Sequence, residues 1–301
     1  MGSGGGSSRT GPPPAVESSG GGSSRTGPPP AVVNMPGVIE TTIQLYRDAL
    51  SATGRSLVRG WIIAVAVVIF VGLMLVASAL SAFLGILGGF LLGAVNALMI
   101  GATLSLVEQA VKTSRYLGVQ DIKASFGQYF WEVISVGFVL WVPIMVLDKA
   151  AAGNPYGPLL AAAIFLLLFI LLNPAPEVIY QVRPGSPLDV IRLSYEFVIE
   201  NWIEWFLPLA VVVAPFGFSF FLDISKPMGR GALLDFFQMV ILPFTLLEAW
   251  LTYLGVPSAA SSTLVLVLTP LVTVAMLIFR GHLFAALHGS SRRKRAFLGR
   301  S

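Results

Sequence analysis

The chain has 301 residues, of which 55% are hydrophobic and only 11% charged, against roughly 25% charged in ordinary soluble domains, so it reads as a polytopic membrane protein. It contains no cysteine, which excludes disulfides, thiolate metal sites and a cysteine nucleophile. The formal charge of +4 comes from basic residues beside apolar segments, where they set topology and touch anionic headgroups; no nucleic-acid partner is expected.

Residues 1–36 are mostly Gly, Ser and Pro, and the stretch Ser3–Val16 recurs as Ser19–Val32. Such a composition buries too little to offset ordering entropy, so it predicts a disordered tail or linker with short polyproline II pieces at Pro12–Pro14 and Pro28–Pro30. It has no apolar core of the signal-peptide kind. A docking arm for a proline-binding partner is the less favoured reading. Residues 37–289 then form the membrane domain, and 290–301 a basic tail.

From Gly37 to Arg59, Ile39, Ile43, Tyr46, Leu50 and Leu57 recur at helical spacing among Arg47, Asp48, Arg55 and Arg59. This predicts an amphipathic helix along the membrane surface, on the cytoplasmic side by its arginines.

No Asp, Glu, Lys or Arg occurs between Gly60 and Val107. As one helix this run would be about 72 Å long, more than twice the ~30 Å hydrocarbon core. With Gly85-Ile86-Leu87-Gly88-Gly89 near its middle, it predicts two crossings, Trp61–Phe83 and Phe90–Val107, joined by a tight turn. Gly85, Gly88, Gly89 and Gly93 fall at spacings that allow close helix approach.

Glu108 to Lys123 carries a surplus of cations, which places it inside. Val119–Trp131 repeats the surface-helix pattern before a third apolar run, Val133–Leu147. Asp148-Lys149 and Gly153–Pro158 make an outer loop, and Leu159–Leu172 returns to Asn173-Pro174-Ala175-Pro176, where two prolines should end the helix. A third amphipathic stretch, Leu188–Trp202, precedes a fifth crossing, Trp205–Leu222. A shift of 69 positions pairs Ile122 with Ile191, Lys123 with Arg192, Ser125 with Ser194 and Phe126 with Tyr195, a short match that either an internal repeat or chance would produce.

Thr263–Phe279 is the final crossing, and Arg292-Arg293-Lys294-Arg295 should stay inside. Both termini inside require an even number of crossings. The expected fold is therefore all-α, a bundle of six transmembrane helices arranged as three hairpins, each preceded by a cytoplasmic amphipathic helix. Leu233–Leu254 becomes an outer interfacial or re-entrant helix kinked at Pro243.

On Leu233–Leu254, Asp235, Gln238, Thr245, Glu248 and Thr252 share a stripe about 140° wide. Asp235, Gln238 and Glu248, with Asn96 in the first hairpin, are the candidates for a polar pathway, although an interfacial position would leave the acids facing water. For Asn96 an interhelical hydrogen bond is the favoured role. Glu108 and Glu132 sit at crossing ends, within reach of headgroup water. Arg55, Arg59, Arg292, Arg293, Lys294 and Arg295 are the candidate contacts to lipid headgroups. His282 and His288 do not share a helix face, and the chain has no nucleophile elbow, zinc-protease motif or phosphate-binding loop. No catalytic residue, metal or cofactor is expected.

The stretch Asn173-Pro174-Ala175-Pro176-Glu177-Val178-Ile179-Tyr180, then Pro187–Tyr195 and Asn201-Trp202, resembles a pattern in bacterial six-helix membrane proteins. These include the membrane domain attached to some glycerophosphodiester phosphodiesterases. The resemblance carries no catalytic motif and implies no phosphodiesterase activity. The leading expectation is a non-enzymatic accessory, anchoring or assembly subunit in a bacterial inner membrane, with lipids and a protein partner or a second copy as its contacts. The alternative is a transporter or permease for a small solute or lipid.

Overall fold

Apolar side chains in lipid-compatible helices leave backbone groups no partners but each other, and the regular structure among the described residues is helix. A computed structural model describes residues 35–151, 154, 156–213 and 250–288. Helix α1 spans Met35–Arg59, α2 Ile62–Ser81 and α3 Ile86–Lys112. The uncharged run thus folds as the expected hairpin, with its turn shortened to residues 82–85. Gly85 adopts φ +56° at the start of α3, a left-handed position that costs a glycine little.

The four hairpin glycines do not all serve the packing role expected of them. A side-chain carbon at Gly88 would sit 2.0 Å from the Ser81 carbonyl oxygen, whereas Gly85, Gly89 and Gly93 have nothing within 4 Å. Close approach is instead made by Gly101, against the Tyr129–Phe130 backbone, and by Gly281, against Tyr180 and Val111.

Helix α4 covers only Val119–Ser125. The expected surface helix to Trp131 is interrupted because Phe126 turns extended and Gly127 takes φ +80°, so Trp131 belongs to α5, Phe130–Ala151. Asp121 starts α4 by accepting the Gly118 backbone N–H at 2.8 Å, half of a capping box.

Helix α6, Gly157–Leu172, ends just before Asn173-Pro174 as expected. After Asn173 and Pro174 the chain resumes as α7, Ala175–Glu177, and a π-helical segment, Val178–Val182. Pro176 occupies an early position of the renewed helix, where its missing N–H is harmless. The path stops at Arg183, the one non-glycine residue with positive φ (54°) among those described.

Leu188–Trp202 and the next apolar stretch are two helices that meet at a kink where Asn201 leaves helical geometry (φ −130°); together they span Pro187–Val213 and are called α8. Helix α9 runs Ser258–His288.

Five helical stretches among the described residues are long and apolar enough to cross a membrane: Ile62–Ser81, Leu87–Lys112, Phe130–Ala151, Leu159–Val182 and Leu268–His288. The expected fifth crossing, Trp205–Leu222, is described only as far as Val213. Most of Leu233–Leu254, the tail before Met35 and the basic cluster 292–295 lie outside the described residues.

The core gathers Ile100, Leu104, Tyr129, Val133, Ile179, Tyr180, Phe197, Trp205 and Phe284. The outer surface is apolar too: Val68, Val71, Leu75, Phe138 and Leu167 are all exposed. A soluble monomer rarely shows so much contiguous apolar surface, and this one fits a membrane-embedded bundle.

Candidate functional site

Charges are scarce in this protein, and several are folded inward together at the end of the bundle where α3, the π-helical segment and the C-terminal part of α9 meet. There the deepest pair joins Glu177 of α7 to Arg280 of α9. Arg280 Nε reaches Glu177 Oε1 at 2.8 Å and Nη2 reaches Oε2 at 2.9 Å. The two side chains are only 1% and 10% exposed. Arg280 Nη2 also donates to the Asn173 carbonyl oxygen, which the proline-interrupted turn presents. The guanidinium lies 4.9 Å from the Trp205 ring, and Trp205 Nε1 donates to Asn173 Oδ1 at 2.8 Å. A planar cation is thus held by a matching carboxylate fork, a carbonyl and an aromatic face.

A second carboxylate, Glu108 on α3, is also enclosed, though less deeply, at 7% side-chain exposure. Lys112 Nζ contacts its Oε1 at 2.7 Å, Arg183 Nη2 contacts Oε1 and Oε2 at 2.7 and 2.8 Å, and the Tyr129 hydroxyl donates to Oε2. Glu108 therefore does not sit in headgroup water as its place at a crossing end suggests. Helical spacing puts Lys112 over it, and Arg183 swings onto it from the left-handed turn. Burial, and then the negative charge of Glu108, push the Tyr129 hydroxyl well above the usual tyrosine range. The carboxylate also raises the Arg183 guanidinium.

Bridging contacts knit the two pairs. Lys112 Nζ donates to the Tyr180 carbonyl oxygen at 3.2 Å, and Gln181 Nε2 to the Gly281 carbonyl oxygen at 2.8 Å. Tyr180 is fully buried between them. From α1, Ser56 Oγ meets His282 Nε2 at 3.1 Å.

The residues singled out from sequence are placed differently. Arg59 Nη1 donates to the Ser114 carbonyl oxygen at 2.9 Å, clamping the end of α1 to the loop after α3, while Arg55 Nη1 donates to Ser51 Oγ. Asn96 is buried on α3, but among the described residues no hydrogen bond joins it to another helix. Asp235, Gln238, Glu248, Arg292, Arg293, Lys294 and Arg295 lie outside the described residues.

Glu177, Arg280, Arg183, Tyr129 and Lys112 escaped the sequence reading as a set, because their partners are far apart along the chain. A signal was present nonetheless. Glu177 follows Glu108 by the repeat shift (177 − 108 = 69), and Ser194 follows Ser125 by the same shift. Both serines are wholly buried and donate to a preceding backbone carbonyl at 2.7 Å. Extending the repeat toward the N-terminus would have matched the two acids.

No protein-family model, curated protein or solved structure matches the chain. Fold and site together define its class: an all-helical protein with several spans suited to a membrane and a layer of paired charges at one end.

Proposed function

We propose that this is a multi-pass protein of a bacterial inner membrane, with both termini cytoplasmic, that acts as a non-enzymatic accessory, anchoring or assembly subunit of a membrane complex. On this reading it extends the resemblance of residues 173–202 to bacterial six-helix membrane proteins. The observation that carries the proposal is the state of the buried carboxylates. Glu177 is engaged by Arg280, and Glu108 by Lys112, Arg183 and Tyr129. A general acid, a proton relay or a solute-binding carboxylate needs a reachable group whose charge can change. These acids are tied into the helix framework, which suits a protein whose task is to hold a shape in lipid.

Reconstitution tests this. Purified protein in vesicles, beside the double variant Asp235→Asn/Glu248→Gln, should show the same background permeability to protons and small solutes. Flux present in the wild type and lost in a folded double variant would overturn the subunit reading in favour of a permease. A cysteine introduced at Ser114, in this cysteine-free chain, should react with an impermeant maleimide only from the cytoplasmic side.

A further inference from the structure

We propose that Lys112 and Arg183 form a binding site for one phosphate group, supplied by an anionic phospholipid headgroup or by free phosphate. The inference rests on the membrane reading above only for the source of that phosphate.

Three observations build the site. First, the charges do not cancel. One carboxylate, Glu108, holds two cations, so the cluster carries one surplus positive charge, and a phosphodiester carries one negative charge. Second, the arrangement is layered. Glu108 is enclosed, while the side chains of Lys112 and Arg183 remain 45% and 55% exposed, so the acid anchors the cations from beneath. Both cationic nitrogens contact the same Oε1 at 2.7 Å, close enough together for a single tetrahedral anion to bridge them.

Donors remain for it. Lys112 has three N–H groups and directs two of them, to Glu108 and to the Tyr180 carbonyl. Arg183 makes both carboxylate contacts through Nη2 alone, with its guanidinium 5.6 Å from the Tyr129 ring, so Nε and Nη1 are not used on the carboxylate.

Third, the site is at the right depth and already formed. Lys112 is the last residue of one span and Arg183 follows the last residue of another, where headgroups meet the hydrocarbon boundary. Basic pockets between membrane helices at this level suit anionic headgroups. Arg183 caps the π-helical segment in a left-handed conformation, its N–H donating to the Val178 carbonyl oxygen at 3.1 Å, and its side chain is already docked on Glu108. Little ordering remains to oppose binding.

The test uses full-length protein in a nonionic detergent, with phosphatidylglycerol, phosphatidylcholine or inorganic phosphate added. Bound lipid is read by native mass spectrometry and phosphate by the shift in thermal midpoint. Lys112→Gln should weaken phosphatidylglycerol binding about tenfold, as loss of a charge-assisted contact does. Arg183→Lys, which keeps the charge and loses the fork, should weaken it less. Arg192→Gln, which removes an exposed cation elsewhere, should leave it unchanged.

A phosphate-induced rise in midpoint that Lys112→Gln abolishes, without lipid retention, would support the same site with free phosphate as its ligand. Equal loss in Lys112→Gln and Arg192→Gln would overturn the proposal, since diffuse attraction would then account for binding. Equal retention of phosphatidylcholine and phosphatidylglycerol, or no binding of either lipid or phosphate, would overturn it as well. Such a failure would leave the flux comparison untouched, because that assay alters neither residue.

Discussion

The hydroxyl of Tyr46 donates to the main-chain carbonyl oxygen of Glu204 at 2.7 Å, joining α1 to α8 across 158 positions. The reason lies four residues further on, at Pro208. Proline has no N–H to return to the carbonyl one turn earlier, and a tyrosine from another helix takes up that acceptor. Burial, with the Glu204 charge adding to it, pushes the Tyr46 hydroxyl up to about 12.

Tyr46→Phe should therefore lower stability by about 1–3 kcal/mol, the cost of leaving a buried acceptor unmet. Combining it with Pro208→Ala restores an N–H to the helix, so the tyrosine change should cost much less in that background. Thermal midpoints of the four proteins in detergent measure the coupling, and equal costs in both backgrounds would refute this account of Tyr46.

Breaking the Glu177–Arg280 pair from either side leaves one charge buried alone. Glu177→Gln and Arg280→Met should each destabilise by about 3–5 kcal/mol, whereas replacing both residues with methionine should cost far less than the two single changes added together. The comparison is again a four-member thermal series.

Gly281 is constrained by its neighbours rather than by its backbone. An added Cβ would lie 2.6 Å from Tyr180 Oη and 2.7 Å from Val111 Cγ2, and Tyr180 is fully enclosed. Gly281→Ala should cost about 1–3 kcal/mol through overpacking. Tyr180→Phe removes the nearer of the two atoms, so the double variant should recover part of the loss in midpoint.

Asp121 sets the acid behaviour of the loop between α3 and α4. Its hydrogen bonds from Arg115, at 2.6 and 3.1 Å, are the main reason its carboxyl sits below the usual 3.8, and the Gly118 N–H adds to the effect. A carboxylate depressed by folding contributes stability that is complete above the unfolded value and disappears as pH falls through the lower folded value. Hydrogen exchange over residues 118–125 should thus accelerate as pH drops below about 3.8, relative to a reference peptide at each pH. Asp121→Asn should show the faster, unprotected exchange already at neutral pH.

Much of the helical plan was legible because its cause is local. A run without charges between Gly60 and Val107, interrupted by glycines, has few ways to satisfy its backbone in lipid, and α2 and α3 follow from it. Contacts with distant partners were not legible. Helix α3 continues past Val107 to Lys112, where Glu108 pairs locally with Lys112 and also with Arg183, 75 positions away. The chain breaks at Asn173-Pro174 and resumes as helix at Ala175, and Arg280 engages the Asn173 carbonyl and the Glu177 carboxylate that the break presents. The proline break is thus a local signal that held, whereas the distant groups that fill it are invisible at short range. The candidate site was less legible still, since ion pairs across 75 and 103 positions leave no local spacing pattern.

The 103 positions between Glu177 and Arg280 also impose an order in time. A ribosome delivers the chain from its N-terminus, so Glu108 can meet Arg183 while the last helix is still unmade, but Glu177 must wait for it. Until α9 inserts, the nascent bundle carries a carboxylate without its designated cation at the meeting point of three helices. Closure of that pair therefore waits for the last helix, and a chain ending before Arg280 would keep Glu177 without that partner.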